Sequence, residues 1–301
     1  MRTGPRWGFP LIAVLLFGSV LTACVGADSS ERGKPPPTQI VVSVSAEAIH
    51  LVDPTTGDGR VVVSDLPDFR SGYATWSPDR KTIAYAKNGI HVLDPATGRS
   101  TRVVSGSKLS MAAWSPDGTR LAYSDGLSLW LTSLGRIAPQ PIHVPAVLGP
   151  VDVAWSPGRI IAFQGVALDC SEAIRCVSTG SSEIWTIHAD GTSLRQVSAA
   201  GHAEGPKWSS DDSELLFLRR VEQGTPDTEL WMVDAAGRNA RRLLARPGLV
   251  AADWSADGSQ LAILVRGSAG PALELWVGRS DGTGFRRVGE AFAGTHASID
   301  W

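Results

Sequence analysis

Ala112-Ala113-Trp114-Ser115-Pro116-Asp117-Gly118-Thr119-Arg120-Leu121-Ala122-Tyr123 reads as a short strand ending on tryptophan, a turn, and a second apolar run. The block returns in near copies at Trp76, Trp155, Trp208 and Trp254, and a sixth such tryptophan, Trp301, stands last in the sequence. The intervals are 38, 41, 53, 46 and 47 residues, at or near the roughly 40–45 of one four-stranded propeller blade. After Trp254 come a second strand at Leu261 to Val265, a third at Glu274 to Val277, a Ser280-Asp281-Gly282 hairpin and a fourth strand at Phe285 to Val288. Asp-Gly suits such hairpins because their central residues need positive φ.

Apart from Trp7, every tryptophan occupies one of two repeat positions, ahead of the turn or in the third strand. Large aromatics at fixed registers on strands facing a neighbouring sheet predict packing between blades rather than an aromatic cage. His50 and His91 stand where other repeats carry the third-strand tryptophan, so packing is expected of them too. The first repeat, from Ile40 to Val63, supplies three strands and no leading tryptophan, whereas His296 to Trp301 supply a leading strand and no followers. Joined, they complete blade one, close the ring and remove its exposed edges. The expectation is an all-β, six-bladed propeller over residues 39–301 with four-stranded antiparallel blades.

Composition agrees. Nineteen per cent charged residues with 32 Gly and 19 Pro suit many short strands and turns, and such a ring is one domain despite its length. The formal net charge is −2, and a leader containing Arg2 and Arg6 without an acid makes the mature chain more negative still. Nucleic-acid binding calls for a basic surface, so that class is set aside.

The amino terminus indicates the compartment. Arg2 and Arg6 precede the apolar run Leu11 to Phe17, and Leu21-Thr22-Ala23-Cys24 follows. A charged segment before a short apolar one is an export signal, too short for the ~20 apolar residues of a spanning helix. Its ending resembles a bacterial lipobox, which implies cleavage after residue 23 and lipidation of Cys24. Residues 24–38, including Pro35-Pro36-Pro37, lack core-forming side chains and read as a flexible tether. Only Cys170 and Cys176 remain, both in the longest interval. Oxidising conditions outside the cytoplasm favour a disulfide between them, and two thiols without nearby histidines make zinc the weaker alternative. An insertion in a repeat array usually decorates a binding face.

No catalytic constellation emerges. Gly278-Arg279-Ser280-Asp281-Gly282 matches the serine-hydrolase pattern in spacing, but that chemistry needs a strand-to-helix elbow and here a hairpin is expected. Arg219-Arg220, Arg238, Arg241-Arg242 and Arg286-Arg287 gather on outer strands, where they protect edges or meet an acidic partner or anionic headgroups. Arg70, Lys108, Asp152, His202, Glu204, Asp253, His296 and Asp300 come from all six blades just ahead of the innermost strands. They are expected to ring one mouth of the central channel, where convergent polar groups can take a peptide segment, a cation or a small polar ligand. Without a consistent carboxylate set, neither a metal nor another cofactor is expected.

The Trp-Ser-Pro-Asp-Gly blocks at Trp76 and Trp114, with degenerate copies at Trp155, Trp208 and Trp254, resemble those of the TolB-like family of WD-like β-propellers over roughly residues 39–301. That resemblance implies a six-bladed propeller whose channel mouth takes a partner's peptide at the cell envelope. Family members carry an α/β domain ahead of the propeller, whereas here a tether from a lipidated cysteine leads into blade one. The same blades occur in prolyl-oligopeptidase-type enzymes, where a hydrolase domain for which this sequence has no room carries the chemistry. The expected function is therefore that of a monomeric lipoprotein binding an envelope protein or peptide. A lactonase-type hydrolase or lyase, needing a divalent metal on channel carboxylates and histidine, is the second reading, and a sensor of a small envelope ligand or glycan the third.

Overall fold

The apolar runs pair into six four-stranded antiparallel sheets in a computed structural model. It describes residues 39–301 other than 67–72, 107–108, 110, 136–137, 173–174, 222–226, 268–269, 271 and 295. The signal segment, Cys24 and the tether lie outside the described residues, as do Arg70 and Lys108. From the channel outward, blade two comprises Ala74–Trp76, Ile83–Ala86, Gly89–Asp94 and Arg99–Ser105, and blade three Ala113–Trp114, Arg120–Ser124, Leu129–Ser133 and Gln140–Ile142. Blade four comprises Leu148–Trp155, Ile160–Glu172, Arg175–His188 and Arg195–Gln196. Blade five comprises Ala203–Trp208, Glu214–Arg220, Asp227–Asp234 and Arg241–Pro247, and blade six Leu249–Trp254, Gln260–Arg266, Ala272–Arg279 and Arg286–Ala293.

Blade one is assembled from both ends of the propeller. Ala297–Asp300 lies innermost, followed outward by Ile40–Val44, Ala48–Val52 and Gly59–Ser64. Val41 pairs with Asp300 and Val44 with Ala297, while Trp301 packs with Ile40, Val42, Leu264 and Leu275 across the seam with blade six. A second contact lies farther out, where a Cβ on Gly57 would stand 2.5 Å from the Gly289 nitrogen, so only hydrogen fits. Six apolar clusters each join a neighbouring pair of blades and close the circle. Trp155 lies between blades three and four, Trp208 between four and five, and Trp254 between five and six. The tryptophans are packing residues.

The turn after each leading tryptophan shows why Ser and Asp recur. The Ser115 hydroxyl donates to Asp117 Oδ1 at 2.6 Å and accepts the Arg120 N–H at 2.9 Å, tying the end of one strand to the start of the next. Ser77, Ser209 and Ser255 do the same toward Asp79, Asp211 and Asp257. In each case the serine hydroxyl is the main reason the aspartate pKa falls, for Asp211 to about 2. Blade four lacks the aspartate and keeps only the second half, Ile160 N–H to Ser156 Oγ at 3.0 Å.

His50 and His91 are likewise packed. His50 meets Phe292 edge-on with centroids 5.0 Å apart, His91 stacks on Tyr85 at 5.2 Å, and burial lowers both pKa values.

Candidate functional site

Each innermost strand runs from one mouth of the channel to its tryptophan at the other. The residue before the tryptophan therefore lies in the throat. Around the ring this position holds Thr75, Ala113, Ala154, Lys207, Asp253 and Asp300, and the four polar members form one network. Lys207 Nζ donates to Asp253 Oδ2 at 2.9 Å, to the Ile299 carbonyl at 2.8 Å and to Asp300 Oδ1 at 3.3 Å. Asp300 also accepts the Trp76 N–H at 2.9 Å and the Thr75 hydroxyl at 3.1 Å, and Asp253 accepts the Trp254 and Trp301 N–H groups. Burial alone would lower the Lys207 pKa, but the two carboxylates outweigh it and hold the ammonium charged. Burial raises the Asp253 pKa, Lys207 opposes the rise, and Asp300 reinforces it. The network ties blades five, six, one and two together across the lumen.

Asp253 and Asp300 therefore do not ring the mouth as expected. They lie inside the strands, one residue ahead of the tryptophan, beside a lysine that the sequence reasoning passed over. Its signal was present: Lys207 shares the register of the two aspartates in consecutive blades.

The mouth itself is a cavity of about 540 Å³ whose lining includes Tyr73, Asp152, Glu204, Arg220, Arg266 and His296. Three of the eight expected residues, Asp152, Glu204 and His296, meet there. His202 does not line this cavity; its carbonyl accepts the Arg220 N–H at 3.1 Å, and its backbone bridges to Ser182. Blades four, five and six shape the site through bulges in their innermost strands, between Val151 and Ala154, Glu204 and Lys207, and Leu249 and Ala251. Asp152 and Gly205, each three residues before the tryptophan, have φ of 46° and 63°, the left-handed bulge geometry that Gly and Asp tolerate best. Such bulges redirect side chains into a site. Glu204 clamps Arg220 through both oxygens, at 3.1 and 3.0 Å.

The insertion rises on the same face. The second and third strands of blade four run 13 and 14 residues, continuing past the Leu148–Ala167 pair to a tip joined by the Cys170–Cys176 disulfide. The Leu168 N–H donates to the Val147 carbonyl at 2.8 Å and fastens its base. Six large apolar side chains are strongly exposed among the described residues, and four of them sit on this face: Leu127 at 62%, Val147 at 56%, Val177 at 52% and Val221 at 54%.

Elsewhere the candidate chemistry is internally satisfied. Arg241 pairs with Glu214 and Arg242 with Glu229, both at 2.7 Å, Arg287 pairs with Glu274 at 3.2 Å, and Arg286 donates to the Pro54 carbonyl. Ser280 lies in a hairpin closed by Gly282 N–H to Arg279 O at 3.0 Å. Among the described residues, no three of His, Cys, Asp and Glu converge as a metal site.

No family model matches the sequence. No curated protein matches it. Solved structures do. TolB from Acinetobacter baumannii shares 15% identity at a TM-score of 0.69, over 87% of this chain and 66% of its own, so this chain spans just under two thirds of that protein. A protein described as TolB from Agrobacterium tumefaciens shares 16% at 0.63, over 85% of this chain and 90% of its own. An oligogalacturonate lyase in complex with manganese shares 19% at 0.50, over 81% of this chain and 70% of its own. What is common at these identities is the fold, the six-bladed propeller of the TolB structures.

Proposed function

We propose that this chain is a lipoprotein that holds a protein or peptide partner at the bacterial envelope, using the mouth formed by blades four to six. Residues 1–23 direct export, Cys24 carries the lipid, and residues 24–38 give the propeller reach from the membrane surface. The observation that carries the binding reading is that Leu127, Val147, Val177 and Val221 are exposed on the same face as a cavity with charged walls. Apolar side chains left exposed beside convergent polar groups give a partner area to cover and groups to pair with. The propeller shared with the TolB structures supports a protein partner.

The hydrolase or lyase reading fits the residues less well. A divalent ion would need open carboxylates in the channel, and Asp253 and Asp300 are engaged by Lys207 and by backbone N–H groups. The test is capture of a partner from detergent-solubilised envelopes by the full chain. Leu127→Ser/Val147→Ser/Val177→Ser should weaken capture at least about tenfold without moving the melting temperature, since exposed substitutions rarely exceed about 0.5 kcal/mol. Arg241→Gln/Arg242→Gln/Arg286→Gln/Arg287→Gln should leave it. The opposite pattern would move the interface to the outer rim.

A further inference from the structure

Arg220 and Arg266 are equivalent residues of adjacent blades. Each ends the second strand, and each donates its backbone N–H to the residue just ahead of the innermost strand of its own blade, Arg220 to His202 at 3.1 Å and Arg266 to Gly248 at 2.8 Å. They stand 46 residues apart, as do Trp208 and Trp254. Both line the mouth cavity. Their neutralisation differs. Glu204, which pairs with Leu218, clamps Arg220, whereas the uncharged Ala251 pairs with the equivalent Leu264. Arg266 makes no ion pair or ring contact among the described residues. Its backbone is nevertheless held in place, since Gly248 at φ 76° packs so closely that a Cβ there would meet Arg266 Cβ at 3.2 Å.

Resting on the mouth reading above, we infer that Arg266 is the specificity residue of the site and selects a partner segment presenting a carboxylate. Leu249, Val250 and Ala251 line the cavity beside it, so a partner laid over them excludes water and strengthens the pair. A guanidinium fork matches a carboxylate in two hydrogen bonds. Asp152 and Glu204 share the cavity, and their charges favour a monoanionic carboxylate over a dianionic phosphate. The carboxylate comes either from an Asp or Glu side chain or from a chain terminus.

The experiment selects binders to the full chain in detergent from a random octapeptide library, prepared once with amidated and once with free carboxyl termini. Wild-type binders should carry Asp or Glu, or should require the free terminus, and replacing that carboxylate by its amide should weaken binding about tenfold. Enrichment confined to the free-terminus pool identifies a chain end, and enrichment in both identifies a side chain. Arg266→Gln should abolish the preference. Ala251→Glu, which places a carboxylate opposite Leu264 as Glu204 stands opposite Leu218, should abolish it too, while Glu204→Gln, which releases Arg220, should strengthen it; Arg266→Gln and Glu204→Gln should melt like wild type. Equal binding of acid and amide, persistence of the preference in Arg266→Gln, or a library without binders overturns the inference. Partner capture that is lost in the Leu127/Val147/Val177 variant but kept in Arg266→Gln would overturn it as well and leave the mouth reading standing.

Discussion

Replacing Lys207 by methionine tests whether the throat network holds the ring closed. The Lys207 side chain is only 14% exposed and its ammonium is shared by two carboxylates, so its loss strands two negative charges that are themselves only 10% and 18% exposed. Breaking a buried pair in this way costs about 3–5 kcal/mol. For a domain of this size about 2–4 °C accompanies each kcal/mol, so at pH 8 the melting temperature should fall by about 6–20 °C. The loss should depend on pH. The folded-state pKa of Asp253 is already raised, to about 6. A group raised in this way contributes stability at low pH that is lost as pH climbs through the folded value. Without Lys207, which opposes the rise, the pKa should climb further, and each additional unit corresponds to about 1.4 kcal/mol. At pH 5 the protonated acid removes one stranded charge, and each unit of further rise recovers up to about 1.4 kcal/mol of the deficit. Calorimetric melts of Lys207→Met and wild type at pH 5 and 8 read this directly. A variant as stable as wild type at pH 8, or a deficit identical at both pH values, would refute the reasoning.

Deleting 296–301 should destabilise the whole ring rather than fray one edge, because it removes buried Trp301 and unpairs Val41 to Val44; loss of a buried Trp side chain alone costs about 3–5 kcal/mol. Denaturant unfolding with an unchanged midpoint would contradict this. Cys170 and Cys176 close a short ring at the tip of a hairpin, so reduction should raise hydrogen exchange in the tip while amides of the other blades stay protected; global loss of protection would count against it. Below pH 4 the Ser-Asp turns should fail, because a lowered aspartate pKa contributes stability that is lost as pH falls through it. Ser209→Ala should blunt the acid transition between pH 4 and 2 set by Asp211, whose pKa is near 2, and acid melts superimposable on wild type would exclude it. Cys24→Ala should abolish detergent-phase partitioning, since two acyl chains bind membranes stably and none does; retained partitioning would rule out the lipid anchor.

The periodic features were legible because they are local. A Ser-Pro-Asp-Gly turn dictates its own hairpin through bonds spanning five residues, such as Ser115 to Arg120, and the tryptophan register dictates which face of each strand meets the next blade. Counting those tryptophans gave the blades, and the incomplete repeats at the two ends of residues 39–301 gave the closure. The candidate site was legible only in outline. Asp152, Glu204 and His296 line one mouth, but Asp253 and Asp300 lie deeper, because the innermost strands of blades six and one include them and do not begin after them.

What the sequence determined by itself was the blade, its number of copies and the way the ring shuts, since each follows from a pattern repeated within about 40–50 residues. What only the tertiary structure decided was which charges meet. Lys207 reaches Asp253 and Asp300 over 46 and 93 residues, and Arg220 finds Glu204 while Arg266 finds no carboxylate among the described residues. Those outcomes depend on the curvature of the ring and on three bulges that turn side chains toward the lumen. A one-dimensional repeat carries the register of each residue, but the distance between two residues on different blades exists only after the ring has closed.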